Sequence, residues 1–143
     1  MRTSKTRAAK PRRKTRTKLP PKTGIRDIDN LDLRDIVSEV RKRRRWSPET
    51  ARVIDRWYRL FLAMSYKNGG IAQFGIEERA DYVWHEHITS TKRYRQDCDK
   101  IFGKFLDHTP GQPKGWVEML EKSNAEYVAE YGIRPPNAGT CCL

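Results

Sequence analysis

Acidic residues are missing from the first 22 positions of the sequence, while ten basic ones crowd them: Arg2, Lys5, Arg7, Lys10, Arg12, Arg13, Lys14, Arg16, Lys18 and Lys22. The same stretch is short of large apolar side chains, and Pro11, Pro20, Pro21 and Gly24 interrupt it. Like charges repel, and so little apolar surface cannot offset the entropy of ordering. These absences exclude a place in the core and mark residues 1–24 as a basic, flexible N-terminal arm. The chain carries a net charge of +12, of which only +2 lies beyond residue 22. The basicity therefore belongs to an appendage and not to the fold.

Long hydrophobic runs are missing too. No stretch approaches the roughly 20 apolar residues that span a bilayer, so no membrane partner is expected. The basic N-terminus has no apolar segment after it, which argues against a secretory leader. Cysteine is scarce: Cys98 lies mid-chain, and Cys141 and Cys142 are adjacent near the end. An odd number at this spacing is a poor disulfide framework and suits a reducing compartment. The expected location is intracellular (cytoplasm or nucleus) or inside a virion. Cys141-Cys142-Leu143 is no prenylation box, because the fourth position from the end is Thr140. Alternating apolar and polar residues are absent as well, and so are internal repeats.

What remains is helical periodicity. Leu33, Ile36, Val37 and Val40 form one stripe of a first helix over 31–45, with Asp29 or Asn30 as its cap. Ser47, Pro48 and Glu49 start a second, whose stripe is Ile54, Trp57, Tyr58, Phe61, Leu62 and Ser65. Asn68-Gly69-Gly70 stops it. A third helix covers about 76–88 through Ile76, Ala80, Val83, Trp84, His87 and Ile88. A fourth covers about 91–102 through Tyr94, Cys98, Ile101 and Phe102, continued by Phe105. A fifth, near 114–131, carries Leu120, Tyr127, Val128 and Tyr131, with Gly132 beyond it. The fold class is all-α, a compact bundle of four to five helices over residues 25–134, followed by a short C-terminal tail over 135–143.

Residues 58–111 hold the most distinctive motifs: D-x-V-W-H-x-H-I, then T-x-x-Y-x-x-D-C, then F-G-x-F-x-x-H-x-P-G. Their order resembles the glycine-rich-domain-containing-protein-like family. The resemblance implies a shared helical core and brings no enzymatic activity with it. The glycine-rich tail of the plant members is absent here, and Asp107-His108 stands where a His-His pair is common.

All three histidines and one cysteine fall in this segment: His85, His87, Cys98 and His108. Imidazole and thiolate are zinc ligands, so this set is a candidate zinc site, although no cofactor is required by the rest of the sequence. On a helix, positions i and i+2 point about 200° apart, so His85 and His87 share an ion only where the helix is distorted. An enzyme would use His85 as general base, Asp81 as its orienter and Cys98 as nucleophile. Cys98 sits on an apolar stripe, where cysteines are mostly inert packing residues.

Arg41, Lys42, Arg43, Arg44 and Arg45 exceed what a helix C-terminus needs and extend the candidate polyanion-binding surface. Trp46, beside them, would stack on a base or lie under arginine side chains. The leading expectation is a non-enzymatic structural or assembly protein. Its arm neutralises nucleic-acid phosphates without base specificity, and its helical body docks on a partner or on copies of itself. By analogy this places it among virion or nucleoprotein components. Two other readings stand beside it: Pro11 to Arg16 as a nuclear-localisation signal, and the His/Cys cluster as a zinc domain or metal-dependent enzyme.

Overall fold

The computed structural model describes residues 18–109 and 114–140. Most of the basic arm and the Cys141-Cys142-Leu143 end lie outside them. Six helices and two three-residue strands make up the described chain, in the order α1 (Arg26–Asp29), α2 (Arg34–Arg44), α3 (Pro48–Lys67), β1 (Gly75–Glu77), α4 (Glu78–Thr89), α5 (Thr91–Phe102), α6 (Trp116–Tyr131) and β2 (Ala138–Thr140). The all-α class therefore holds. Five of the helices are the expected ones, and α1 is an extra single turn.

The central element is α3, which packs against α1, α2, α4 and β1. Its start follows from its sequence: Ser47 Oγ accepts the backbone N–H of Thr50, and Pro48 sits where no N–H is needed. Ile54, Trp57, Tyr58, Phe61, Leu62 and Ser65 are all buried, as the stripe requires. Two stripe residues elsewhere are exposed, Phe105 at 45% and Val128 at 49%. Phe105 lies beyond the end of α5, where helical periodicity no longer sets direction, and its ring meets Tyr94 edge-on.

The start of α2 differs from expectation. Leu33 is its N-cap and makes no side-chain cap bond, while Asn30 closes α1. Asp29 instead turns back, accepting from the backbone N–H groups of Thr23 and Gly24 and from the Thr23 hydroxyl. Arg59 of α3 fixes the same turn, donating to the carbonyls of Ile28, Asp29 and Leu31 at 2.7, 3.2 and 2.9 Å.

The strands correct the expectation of a purely helical chain. β1 and β2 pair antiparallel, with Gly75 opposite Thr140 and Glu77 opposite Ala138. The pairing is anchored by α6: Ser123 Oγ accepts the Gly75 N–H at 2.8 Å, and the Tyr127 hydroxyl donates to the Gly75 carbonyl at 2.8 Å. Residues assigned on sequence to the arm and tail also join the fold. Pro20, Thr23 and Pro135 are buried. No helix among the described residues is long and apolar enough to cross a membrane.

Candidate functional site

α4 carries the W-H-x-H motif, and its geometry divides the motif into core and surface. Trp84 is fully buried and donates its indole N–H to the Tyr94 hydroxyl, which donates to the Leu106 carbonyl. His87 is 1% exposed. Its Nδ1 meets the Tyr58 hydroxyl and its Nε2 meets Asp97, each at 2.7 Å. The Asp97 carboxylate accepts from Nε2–H, and Tyr58, whose phenol is pushed well above its ordinary value by burial, keeps a proton that it can donate to Nδ1. Burial likewise holds His87 below its ordinary pKa, against the pull of Asp97. The side chains of α3, α4 and α5 are thereby tied together at one buried point.

His85 turns the other way, and its side chain is half exposed. One turn back on α4 is Asp81, whose Oδ2 lies 3.4 Å from His85 Nε2. His108, from the segment after α5, brings its Nε2 to 3.8 Å from Asp81 Oδ1. The His108 ring lies between Trp84 and His85, with centroids at 4.4 and 4.5 Å. One ligand atom from each of Asp81, His85 and His108 lies within 4.8 Å of the other two. Desolvation pushes the Asp81 carboxyl up to about 6, against the lowering influence of His85. A cavity of about 340 Å³ opens beside Asp81 and His85, walled by Arg43, Arg44, Tyr82 and Glu86.

Of the four expected ligands, only two come together. His85 and His108 come together, with Asp81 as their companion. His87 does not join, because both its ring nitrogens are bonded to protein. Cys98 is buried, and burial pushes its thiol up, away from the reactive thiolate. Asp81 beside His85 was legible from the i, i+4 spacing. Asp97, the partner of His87, was missed, and nothing in the spacing pointed to it.

The basic run Arg41–Arg45 is not one patch either. A helix turns about 100° per residue, so consecutive side chains fan around it. Arg43 pairs with Glu39 and Glu86, and Arg44 lies 3.5 Å above the Tyr82 ring. Lys42 and Arg45 are exposed, and Trp46 is partly buried against the core. Arg41 faces α3. There it lines a groove of about 430 Å³ with Arg34, Arg52, Arg56 and Arg59, and Asp55 is the groove's one carboxylate. Arg34 pairs with Asp32 and Arg59 with Asp55. Arg41, Arg52 and Arg56 form no ion pair among the described residues, and Arg41 Nε is buried with no hydrogen-bond partner. Arg52 also lines the neighbouring cleft with Lys18 and Arg79, and Arg56 reaches the Pro20 carbonyl at 3.5 Å. Sequence reading missed Arg52, Arg56 and Arg59, although their i, i+4, i+7 spacing places them on one face of α3.

These features define a small helical protein with an Asp-His-His cluster on one side and an arginine groove on another. The chain belongs to the UCP032817-like family, whose model matches residues 29–128. The match spans α2 to α5 and most of α6, including Asp81, His85, His108 and the groove. It leaves the basic N-terminal segment outside. No curated protein and no solved structure matches the chain.

Proposed function

We propose that this protein binds nucleic acid through its phosphate backbone, as a structural or assembly component. The basic N-terminal segment and the α2–α3 groove act as one surface. The observation that carries this is the position of Lys18 to Pro20, the described root of the segment, against α3 at Arg52 and Arg56. Lys18, one of the ten cations of that segment, thus lies beside Arg52 of a groove in which Arg41, Arg52 and Arg56 form no ion pair among the described residues. Positive charge following a path, with few carboxylates in it, suits a polyanion of regular phosphate spacing. Arginine also hydrogen-bonds phosphate oxygens in pairs. Backbone contacts alone carry no sequence information, so the binding is not base-specific. The helical body then presents the bound strand to a partner or to further copies of the chain. The resemblance to the glycine-rich-domain-containing-protein-like family stays part of this proposal for residues 58–111, and it supplies the core rather than the binding.

The test is a fluorescence anisotropy titration of a short mixed-sequence duplex. The full chain is compared with a chain beginning at Thr23, and with Arg52→Glu/Arg56→Glu in the full chain. The expected outcome is near-complete loss of binding in the truncated chain and clear weakening in the double variant. Unchanged affinity in both would exclude this surface.

A further inference from the structure

The Asp81, His85 and His108 cluster has no part in nucleic-acid binding as proposed above. It lies apart from the α2–α3 groove, beside a cavity of its own. Three donor types meet there: one carboxylate and two imidazoles. Their arrangement is set by the fold. Asp81 and His85 stand one turn apart on α4, and His108 arrives from beyond α5, held in place by its packing on Trp84.

We propose that Asp81, His85 and His108 bind one divalent transition-metal ion, with zinc the best fit to the donor set. Nitrogen and oxygen ligands of a tetrahedral zinc lie about 2.0–2.2 Å from the ion, which puts them roughly 3.4 Å from one another. His85 Nε2 lies 3.4 Å from Asp81 Oδ2 and His108 Nε2 lies 3.8 Å from Asp81 Oδ1, so the two imidazoles flank the two oxygens of one carboxylate at close to this spacing. The remaining separation is at most 4.8 Å, and the half-exposed His85 ring can turn to close it.

A second observation points to the same ligand. Asp81 is 8% exposed, and its Oδ1 is buried with no hydrogen-bond partner among the described residues. A buried carboxylate oxygen without a donor is costly, and a bound cation is a direct way to satisfy it. The neighbouring arginines do not forbid a cation. Arg43 is paired with Glu86 and Glu39, and Arg44 is engaged with Tyr82. Three protein ligands leave a fourth position facing the cavity, the arrangement of zinc sites that keep a water or an exchangeable ligand.

The experiment is isothermal titration with zinc alone on chelator-treated full chain. It is carried out with Cys141→Ser and Cys142→Ser in the background, so that the terminal thiols cannot take the metal. One equivalent is expected to bind. His85→Ala should weaken that binding by more than the 10- to 100-fold typical of losing an outer-shell partner. Asp81→Asn and His108→Ala should do the same, and Cys98→Ser should leave binding unchanged. His85 is half exposed, so His85→Ala keeps the fold, which circular dichroism verifies. Absence of stoichiometric binding would overturn the proposal. Equal affinity in His85→Ala, or loss of binding in Cys98→Ser, would overturn it as well.

Discussion

At His87 both ring nitrogens are occupied in the interior, whereas at His85, two residues earlier, the ring reaches solvent. Removing the first leaves the Tyr58 hydroxyl and the Asp97 carboxylate without their partner and opens a cavity. His87→Ala is therefore expected to lower stability by about 2 kcal/mol or more in urea denaturation. His85→Ala should change it by less than about 0.5 kcal/mol. Equal losses would contradict the division of the motif into core and surface. The sequence already implied part of this, since i and i+2 on a helix diverge and His87 fell on the apolar stripe. The partners were not legible. Asp97 lies on another helix, and His108 reaches Asp81 across 27 residues of chain, so both contacts depend on how α4, α5 and the following segment pack.

At the scale of elements, two backbone features give predictions. α2 ends with Arg45 in the left-handed region at φ 57°, and the Trp46 N–H returns to the Arg41 carbonyl. That position favours glycine, because a β-carbon is crowded there. Arg45→Gly is expected to raise stability by about 0.5–1 kcal/mol, read as a higher midpoint of thermal unfolding. Gly75 is the opposite case. A β-carbon on it would meet Leu120 Cδ2 at 2.9 Å and Ala138 Cβ at 3.2 Å. Gly75→Ala should cost about 1–3 kcal/mol by overpacking β1 against α6 and β2, measured by the same unfolding experiment. Helix starts and stops were readable from local chemistry, as Ser47-Pro48-Glu49 and Gly132 demonstrate. The β1–β2 pair was not. Three-residue strands are too short to alternate, and their partners are separated by more than 60 residues. The Asp29 side chain, expected to cap α2, is instead engaged by Thr23 and Gly24.

For the whole molecule, the distribution of charge matters more than its total. The described start of the basic segment, Lys18 to Pro20, and Arg41 of the 41–45 run both lie against α3. Lys18 lies in the cleft beside Arg52, and Arg52 lines the groove with Arg41. Fanning of α2 removes Arg43 and Arg44 from that path and turns them toward Asp81 and His85. The molecule thus separates a cation-lined groove from a cluster of metal-type donors, and each should be removable without the other. His85→Ala is expected to leave nucleic-acid affinity unchanged, while Arg52→Glu/Arg56→Glu leaves zinc binding unchanged. Cross-loss in either direction would show that the two surfaces act as one.

The most direct measurement is the salt dependence of that affinity. Duplex binding by the full chain is followed from 50 to 200 mM salt, beside the chain beginning at Thr23. Each phosphate neutralised contributes about −0.9 to the slope of log affinity against log salt. The account predicts a slope of about −5 or steeper for the full chain, and near-complete loss of binding in the truncated one. A shallow slope, or equal affinity in the two chains, would contradict it.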